Sequence, residues 1–438
     1  MNTKLYTLVA LLATTLAGFM PAKSQTLGPV TDTIYMGASY NNEVYYSMAA
    51  GNKGAVNRKQ WDIAFRASRQ SASIITNDSA NNNAAGLNGV ELYSYPKAAY
   101  SGFADVDTAG LSTWKLMVNS TTDWEDGAFD RYQKGHPDYG WGKYNSVTHD
   151  VVGDSIFIIK LRDGSFRKLA ILRKYSTDNL YEFRYAKLDN KNDTTIMLDC
   201  NPYSTKNFVG FSITTNQVVD YEPVPSAQWD ILFAKYMYTY PAGSPNAGTL
   251  YPVTGVLSNY KVKVKKYEHV APGFMMTAPA AMDSSRSAIG WEWKYLDSEF
   301  KYHTVDSLIY FVQDKGGKIN KLVFKEFVGS STGRIVLQKE VISFTGIDDI
   351  EKSGFSAAVY PNPVRENMNL VLNPGKSGNA VVTLLDISGR IVMNRRFDLQ
   401  AEDLNTLQIP VSGLPSGIYM LKVQAGTNVV SRKVVVNN

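Results

Sequence analysis

The chain has 438 residues, 12% of them aromatic, and a formal net charge of +5 at pH 7. This charge belongs to the two ends: Lys4 and Lys23 are basic, and residues 357–438 hold eight basic and five acidic residues, so residues 25–356 carry no net charge. A neutral central region exerts no long-range attraction on phosphate backbones or anionic lipid, which argues against nucleic-acid binding.

Residues 1–24 have the pattern of a secretory signal peptide. Lys4 precedes a mostly apolar stretch, and Ala22 and Ser24 place small residues before a cleavage site at Gln25. The apolar stretch is too short and too interrupted for a spanning helix, so we expect no transmembrane segment. The single cysteine, Cys200, cannot form an internal disulfide and is predicted to be a buried small hydrophobe.

The central region contains an internal repeat. The segment Gln-Trp-Asp-Ile-x-Phe occurs at residues 60–65 and again at 228–233. Four further matches follow in the same order, namely Gly89-Val90 with Gly255-Val256, Gly140-Trp141 with Gly290-Trp291, Asp154-Ser155 with Asp306-Ser307, and Lys168-Leu169 with Lys321-Leu322. Five matches in one order indicate duplication. We predict two units, 25–195 and 196–345, then a linker at 346–356.

Each unit is predicted to be all-β and antiparallel. Apolar residues alternate in the Trp-Asp-Ile segment, which places Trp61, Ile63 and Phe65 on one face of a strand. Three strands should form a meander in each unit, at 156–161, 168–173 and 181–185, and at 310–313, 322–327 and 335–339, with glycine turns at Asp163-Gly164 and Gly316-Gly317. The same alternation predicts a flat row of Trp291, Trp293 and Tyr295. Because Trp291 repeats Trp141, we expect Trp291 to lie in the core and Trp293 to face inward with it.

The Trp-Asp-Ile-x-Phe strand, the downstream Gly-Val and the late Gly-x-x-x-Lys-Leu strand make each unit resemble the HmuY-like haem-binding family. The resemblance covers most of both units, although its motifs are short and mainly structural. It implies a hand-shaped all-β domain on the bacterial surface that captures haem with a pair of His or Met side chains on loops.

Haem iron requires two axial donors, which imidazole and thioether groups supply. His136 lies in a Gly-His-Pro-Asp turn, and His269 precedes Met275 and Met276, the cluster of soft donors in the second unit. These four residues are the candidate haem ligands, with haem as the candidate ligand. His149 and His303 occupy similar places in the two repeats, which favours a structural turn role.

Two other function classes stay open. Tyrosine and tryptophan side chains two or three residues apart could contact surface glycans in an adhesin, or fill the core. No nucleophile elbow, phosphate-binding loop, zinc motif or cysteine cluster occurs, so we expect no enzymatic activity and no resident metal. The favoured interpretation is a non-enzymatic binding protein, for haem or, alternatively, for a surface glycan.

The final 82 residues contain four ordered motifs. They are Tyr-Pro-Asn-Pro at 360–363, Asp-Ile-Ser-Gly-Arg at 386–390, Leu-Pro-Ser-Gly-Ile-Tyr at 414–419, and a Val-rich stretch with Lys433 at the end. In Asp386-Ile387-Ser388-Gly389, the carboxylate can bond the backbone two residues on, and glycine can adopt positive φ, which predicts a tight hairpin turn.

These motifs resemble the C-terminal sorting domain of cargo exported by the bacterial type IX secretion system. The resemblance assigns residues 357–438 to a small Ig-like β-sandwich that is recognised by the outer-membrane secretion machinery. The matching motif residues are Pro361, Asn362, Pro363, Asp386, Gly389, Arg390, Gly417, Tyr419 and Lys433. Together with the signal peptide it implies a protein that is secreted or displayed on the outer cell surface.

Overall fold

The computed structural model describes residues 29–78, 89–276, 281–342, 356–373, 378–400, 405–426 and 428–438. In these residues the regular structure consists of β-strands and short 3₁₀ helices, which confirms the predicted all-β class. None of the helices in this part of the chain has the length and apolar character needed to cross a bilayer. The predicted signal peptide, and all but the last residue of the predicted linker, lie outside the described residues.

The strands follow in chain order. Residues 29–222 form β1 (Val30–Tyr35), β2 (Asn42–Ser47), β3 (Gly51–Asn57), β4 (Ile63–Arg66), β5 (Ile74–Thr76), β6 (Glu91–Ser94), β7 (Leu116–Met117), β8 (Gly142–Asn145), β9 (Asp150–Gly153), β10 (Phe157–Lys160), β11 (Phe166–Tyr175), β12 (Leu180–Ala186), β13 (Thr194–Asp199), β14 (Phe208–Ser212) and β15 (Gln217–Val219). Residues 223–342 form β16 (Ile231–Thr239), β17 (Leu250–Ser258), β18 (Lys263–Tyr267), β19 (Lys294–Leu296), β20 (Tyr302–Thr304), β21 (Ile309–Gln313), β22 (Ile319–Phe327) and β23 (Arg334–Ile342). The C-terminal strands are β24 (Ser356–Tyr360), β25 (Asn367–Asn373), β26 (Gly378–Asp386), β27 (Ile391–Leu399), β28 (Asn405–Pro410), β29 (Gly417–Ala425) and β30 (Asn428–Val436). The 3₁₀ helices span Ala38–Tyr40, Tyr100–Asp105, Leu111–Thr113, Ala128–Asp130, Asn201–Tyr203 and Ser226–Gln228.

Four sheets of residues 29–342 are stacked face to face. Body one consists of an outer sheet in the order β13-β12-β11-β10-β6-β7, to which the β8–β9 hairpin is attached, and an inner sheet in the order β15-β14-β4-β5. Body two consists of an inner sheet, β17-β16-β2-β3, and an outer sheet, β1-β23-β22-β21-β18. Each body has its own apolar core, and a third cluster lies between the two inner sheets.

The two bodies exchange strands. The opening strands of the chain join body two, because β2 pairs with β16 and β1 pairs with β23. In return β14, which follows the end of the first predicted repeat, pairs with β4 in body one. Each sequence repeat therefore completes the sheets of the other, and a cut between residues 195 and 196 would fall inside β13.

Both predicted meanders are present. The strands β10, β11 and β12 pair antiparallel in sequence, and β21, β22 and β23 do the same in body two. Gly164 and Gly317 have φ of 82° and 84° in the first turn of each meander, a conformation that glycine adopts without a Cβ clash. Cys200 is fully buried in the core of body one, as expected.

The predicted face of the Trp-Asp-Ile segment is wrong. The strand begins at Ile63, and Ile63 and Phe65 lie in the core of body one, whereas Trp61 lies in the cluster between the inner sheets together with Trp229. Both faces of an inner sheet are buried, so alternation along its strands does not distinguish inside from outside.

The predicted aromatic row is also wrong. Strand β19 begins only at Lys294; Trp293 is buried and stacks on Phe324 at 4.0 Å between ring centroids, Trp291 is half-buried and Tyr295 is exposed. The structural counterpart of Trp141 is Trp293, not Trp291. Both tryptophans are core residues, and the backbone carbonyl of each accepts a hydrogen bond. The donor to Trp141 O is Asp154 N, at 3.2 Å, and the donor to Trp293 O is Val305 N, at 3.0 Å.

The C-terminal residues form two further sheets, β24-β25-β28 and β27-β26-β29-β30. Apolar side chains from both sheets share one core, which includes Leu370, Ile409, Leu384 and Leu421. The domain thus has the two-layered arrangement that gives a small β unit a buried interior.

Candidate functional site

An open groove on body one brings together two of the four histidines of the chain. It has a volume of about 500 Å³, and its walls include Arg69, Ser71, His136, Tyr139, Tyr144 and His149. This volume lies within the range of ligand-binding clefts, roughly 300–1,000 Å³. Imidazole, phenol and guanidinium groups thus share one solvent-accessible site.

The turn that carries His136 is tied to the neighbouring hairpin. Asp138 N donates to Gly135 O at 2.8 Å, and Tyr144 N donates to Pro137 O at 2.8 Å. The Asp138 carboxylate also accepts bonds from the backbone of Lys134 and Gly140. The imidazole of His136 is exposed and lies 5.3 Å from the Tyr144 ring, so the predicted ligand faces the groove.

His149 enters the groove from the β8–β9 hairpin. Its φ of 59° marks it as a turn residue, in agreement with the structural role predicted for it. Its Nδ1 also lies 2.8 Å from the Tyr144 hydroxyl. In the tautomer that donates Nδ1–H to this oxygen, Nε2 holds the lone pair that a metal requires, and such a bond fixes the ring orientation.

Sequence reasoning missed His149 and Tyr144 as site residues. The recurrence of a histidine in both repeats favoured a turn role for His149, whereas the Tyr-x₄-His spacing within one hairpin is what brings it beside Tyr144. In body two the corresponding histidine, His303, has other contacts. His303 stacks on Tyr295 at 5.3 Å, and its Nε2 lies 2.6 Å from the Asp297 carboxylate.

The candidate ligands of the second unit differ in their exposure to solvent. Met276 is buried in a small cluster with Ile309 and Phe311, where it does not reach solvent. Met275 is exposed, and its sulphur lies 3.7 Å from Lys321 Nζ. His269 is exposed in a turn with φ of 57°. In the described residues no ring contact or hydrogen bond joins His269 to either methionine.

Four aromatic side chains form a half-exposed cluster at the far end of the β16–β17 hairpin. This aromatic platform consists of Tyr238, Tyr240, Tyr251 and Trp291, whose neighbouring ring centroids are 5.4–6.4 Å apart. Tyr251 is the most exposed member, at 51%. Tyr238 and Trp291 also pack against the cluster between the inner sheets, so the platform joins that core to the surface at Tyr240 and Tyr251.

A small buried cavity of about 40 Å³ lies between the two inner sheets. Three carboxyl groups, from Glu43, Asp78 and Glu222, line it together with Arg286. Burial is the largest cause that raises the pKa of Glu43 and Glu222 to about 7 and that of Asp78 to about 6. The volume suffices for a few water molecules only. These carboxyl groups thus converge in the interior and not in a cleft.

In the described ranges no group of three or more His, Cys, Asp and Glu side chains is placed to hold a metal ion. The groove on body one offers two imidazoles, which suits a ligand that already carries its metal in a ring of other donors.

The sorting-motif residues stabilise the C-terminal domain. Asn362 donates from its amide to Lys433 O and accepts from Val435 N, both at 2.7 Å, which attaches the Pro-Asn-Pro segment to β30. The carboxylate of Asp386 accepts bonds from the backbone of Ser388 and Arg390, and Gly389 has φ of 83°. Tyr419 donates from its hydroxyl to Pro415 O at 2.8 Å. The remaining motif residues lie beside these contacts, with Pro361 and Pro363 flanking Asn362 and Gly417 opening β29.

Residues 358–437 match the family described as the secretion system C-terminal sorting domain. No curated protein matches the chain. Weak similarity to solved structures includes PorU from Porphyromonas gingivalis, at 10% identity over 66% of this chain and 32% of that one with a TM-score of 0.17. PorZ, an essential surface component of the type-IX secretion system of the same bacterium, shows 10% identity over 74% and 50% with a TM-score of 0.14. The C. elegans fusion protein EFF-1 shows 7% identity over 65% and 68% with a TM-score of 0.16. The chain spans about a third of the length of PorU, and similarity this weak carries no argument about fold or function.

Proposed function

We propose that this chain, which its C-terminal sorting domain marks as cargo of the type IX secretion system, is a non-enzymatic binding protein that captures haem outside the cell. The sorting domain directs export to the outer cell surface or the medium and interacts with the secretion machinery. The haem proposal concerns residues 29–342, to which the family match does not extend.

The observation that supports haem capture is the meeting of His136 and His149 in one groove around Tyr144. Two imidazoles can supply both axial ligands of a haem iron, and an aromatic ring can pack against the porphyrin. Arg69 lines the same groove and suits the carboxylates of a haem edge. The resemblance of the repeats to HmuY-like proteins points to the same ligand.

A haemin titration of residues 25–438 tests this proposal. We expect a saturable Soret band that is lost in His136→Ala and in His149→Ala. Tyr144→Phe should weaken binding, because it removes the hydroxyl that orients His149. The matched control is His269→Ala, which removes an exposed histidine from body two and should leave the titration unchanged. A flat titration, or equal loss in the control, would refute haem capture at this groove.

The second candidate function is glycan contact at the aromatic platform. The observation that favours it is the packing of four aromatic rings with Tyr251 half exposed, since such faces stack on sugar rings. If the haemin titration is flat, glycan binding that is lost in Tyr251→Ala and kept in Tyr295→Ala would select this alternative. Tyr295 is a suitable control because it is equally exposed, at 53%, outside the platform.

A further inference from the structure

The four-stranded sheet of the sorting domain has one face in the core and one face in solvent. Ala380, Val382 and Leu384 of β26 are buried, so the alternate residues of this strand point outward. Leu385 is opposite Ile391 on β27 and Met420 on β29, and Met420 is opposite Lys433 on β30. One outward row therefore crosses all four strands.

Apolar side chains are concentrated at the end of this face where the row lies. Ile391 is 57% exposed and Met420 48% exposed, and Ile418, which is opposite Val435, lies next to them. Ile387 is exposed in the turn between β26 and β27. The next outward row is polar and consists of Asn394, Thr383, Lys422 and Ser431. We call this cluster, formed by Leu385, Ile387, Ile391, Ile418 and Met420, the apolar end.

Basic side chains border the apolar end. Lys433 closes the row and Lys422 lies one row away, whereas the charge of Arg390 in the turn is paired with that of Asp386. Asp398 points outward as well, but it pairs with Asn379 at the opposite end of the sheet. The apolar end thus carries a positive border, which is complementary to a partner with acidic side chains.

Two sorting-motif side chains, those of Asp386 and Asn362, hold this surface in place. Asp386 orders the turn that carries Ile387, through bonds to Ser388 N at 2.9 Å and Arg390 N at 3.1 Å. Asn362 bonds Lys433 O and Val435 N and so fixes the backbone of β30 beside Lys433. These two motif side chains are engaged in bonds within the domain, whereas Ile387, Ile391 and Met420 are exposed. Clustered exposed apolar groups of this kind mark contact surfaces.

We propose that the apolar end, with Lys433, is the surface with which the sorting domain docks on the secretion machinery, and that the machinery presents an apolar strip bordered by acidic side chains. The assignment rests on the sorting domain and not on haem capture, so the two can fail separately. It distinguishes motif side chains that are bonded within the domain, such as Asn362 and Tyr419, from outward side chains, Lys433 among them, that make the contact.

The test is export of the full chain from a bacterium that has the type IX system, with cellular and extracellular fractions compared by immunoblot. We expect Ile391→Ser/Met420→Ser to lower the exported fraction at least roughly tenfold, equivalent to the loss of about 1.4 kcal/mol of docking free energy. The matched control is Val218→Ser/Val429→Ser. Val429 is 51% exposed on the same outward face but at its other end, and Val218 is exposed in body one. The control should be exported normally.

Export of Ile391→Ser/Met420→Ser at the normal level, or equal retention of the control, would overturn the proposal. Thermal unfolding of each purified chain checks that the domain is folded. If the double variant unfolds early, Lys433→Glu provides the decision, because this exposed side chain bears no fold contact and its reversal should also block export, whereas Lys433→Arg should not. Loss of binding to phosphatidylglycerol vesicles in the same variants, with normal export, would assign the surface to lipid and refute docking on a protein.

Discussion

At the scale of single residues, the buried carboxyl groups between the inner sheets make the stability of the molecule depend on pH. Glu222 is buried and accepts bonds from Asn207 N and Phe208 N at 3.0–3.1 Å. Glu43 is buried as well, and Arg58, Asp78, Arg286 and Glu222 act on its charge. Burial dominates and raises both pKa values from 4.5 to about 7, so the folded protein favours the protonated acids.

Stability should therefore fall as pH rises from about 4.5 to about 7. In this window the carboxyl groups of the unfolded chain release their protons, whereas those of the folded chain keep them. Above pH 7, where each group is ionised in both states, the free energy of unfolding is lower by on the order of 3 kcal/mol per group. Glu222→Gln retains an acceptor for the two backbone N–H groups and should raise the melting temperature at pH 8 but not at pH 4.5. Asp220→Asn, an exposed neighbour, serves as control. A melting temperature of Glu222→Gln that differs equally from the parent at both pH values would contradict this account.

At the scale of elements, the aspartate of each Trp-Asp-Ile segment accepts hydrogen bonds from the backbone at the end of a strand that belongs to the other repeat. The Asp230 carboxylate accepts from Met48 N at 2.7 Å, just after β2, and from Lys315 N at 3.1 Å. Asp62 performs the same task for β14, since its carboxylate accepts from Thr214 N and bonds Arg162 at 2.9 Å. This shared role explains why an aspartate follows the tryptophan in both copies of the repeated motif.

Asp230→Ala should loosen the exchanged hairpin. It leaves two backbone N–H groups without their acceptor, which costs roughly 2–4 kcal/mol in a buried site. Amide hydrogen exchange should accelerate in β2 and β16 and stay unchanged in β10 and β11 of body one. Asp306→Ala removes an exposed aspartate from body two and is the matched control. Uniform acceleration across both bodies would show that the bond does not act locally.

At the scale of the whole molecule, body two depends on strands that are distant in sequence. Removal of residues 29–57 would take away β1, β2 and β3 and expose the core formed with Ile231, Phe233 and Leu337. We expect limited proteolysis to degrade residues 223–342 of this truncated chain while the β10–β12 meander persists. A chain that ends at residue 342 keeps every exchanged strand and should resist the protease. Protection of body two in the truncated chain would contradict the dependence.

The sequence predicted what is encoded locally. The meanders, the glycine turns and the sorting domain follow from alternation and turn residues within short stretches, as at Asp386 to Gly389. The exchange of strands could not be predicted, because it depends on pairing between distant segments such as β2 and β16. The alternation of Ile63 and Phe65 did not extend to Trp61, because Trp61 precedes β4 and packs in the cluster between the inner sheets. Of the candidate site, His136 was identified, whereas His149 needed the fold to bring it beside Tyr144.

The pairing of β1 with β23 has a consequence for the order of events during folding. Val30 lies opposite Lys339, so β1 finds its neighbour only after about 300 further residues have been synthesised. Contacts of such long sequence separation slow folding, and until they form the edges of body two stay open to pairing with other chains. Residues 29–342 should therefore fold slowly, and until β23 is available the unpaired strands β1 and β2 must be kept from pairing with other chains.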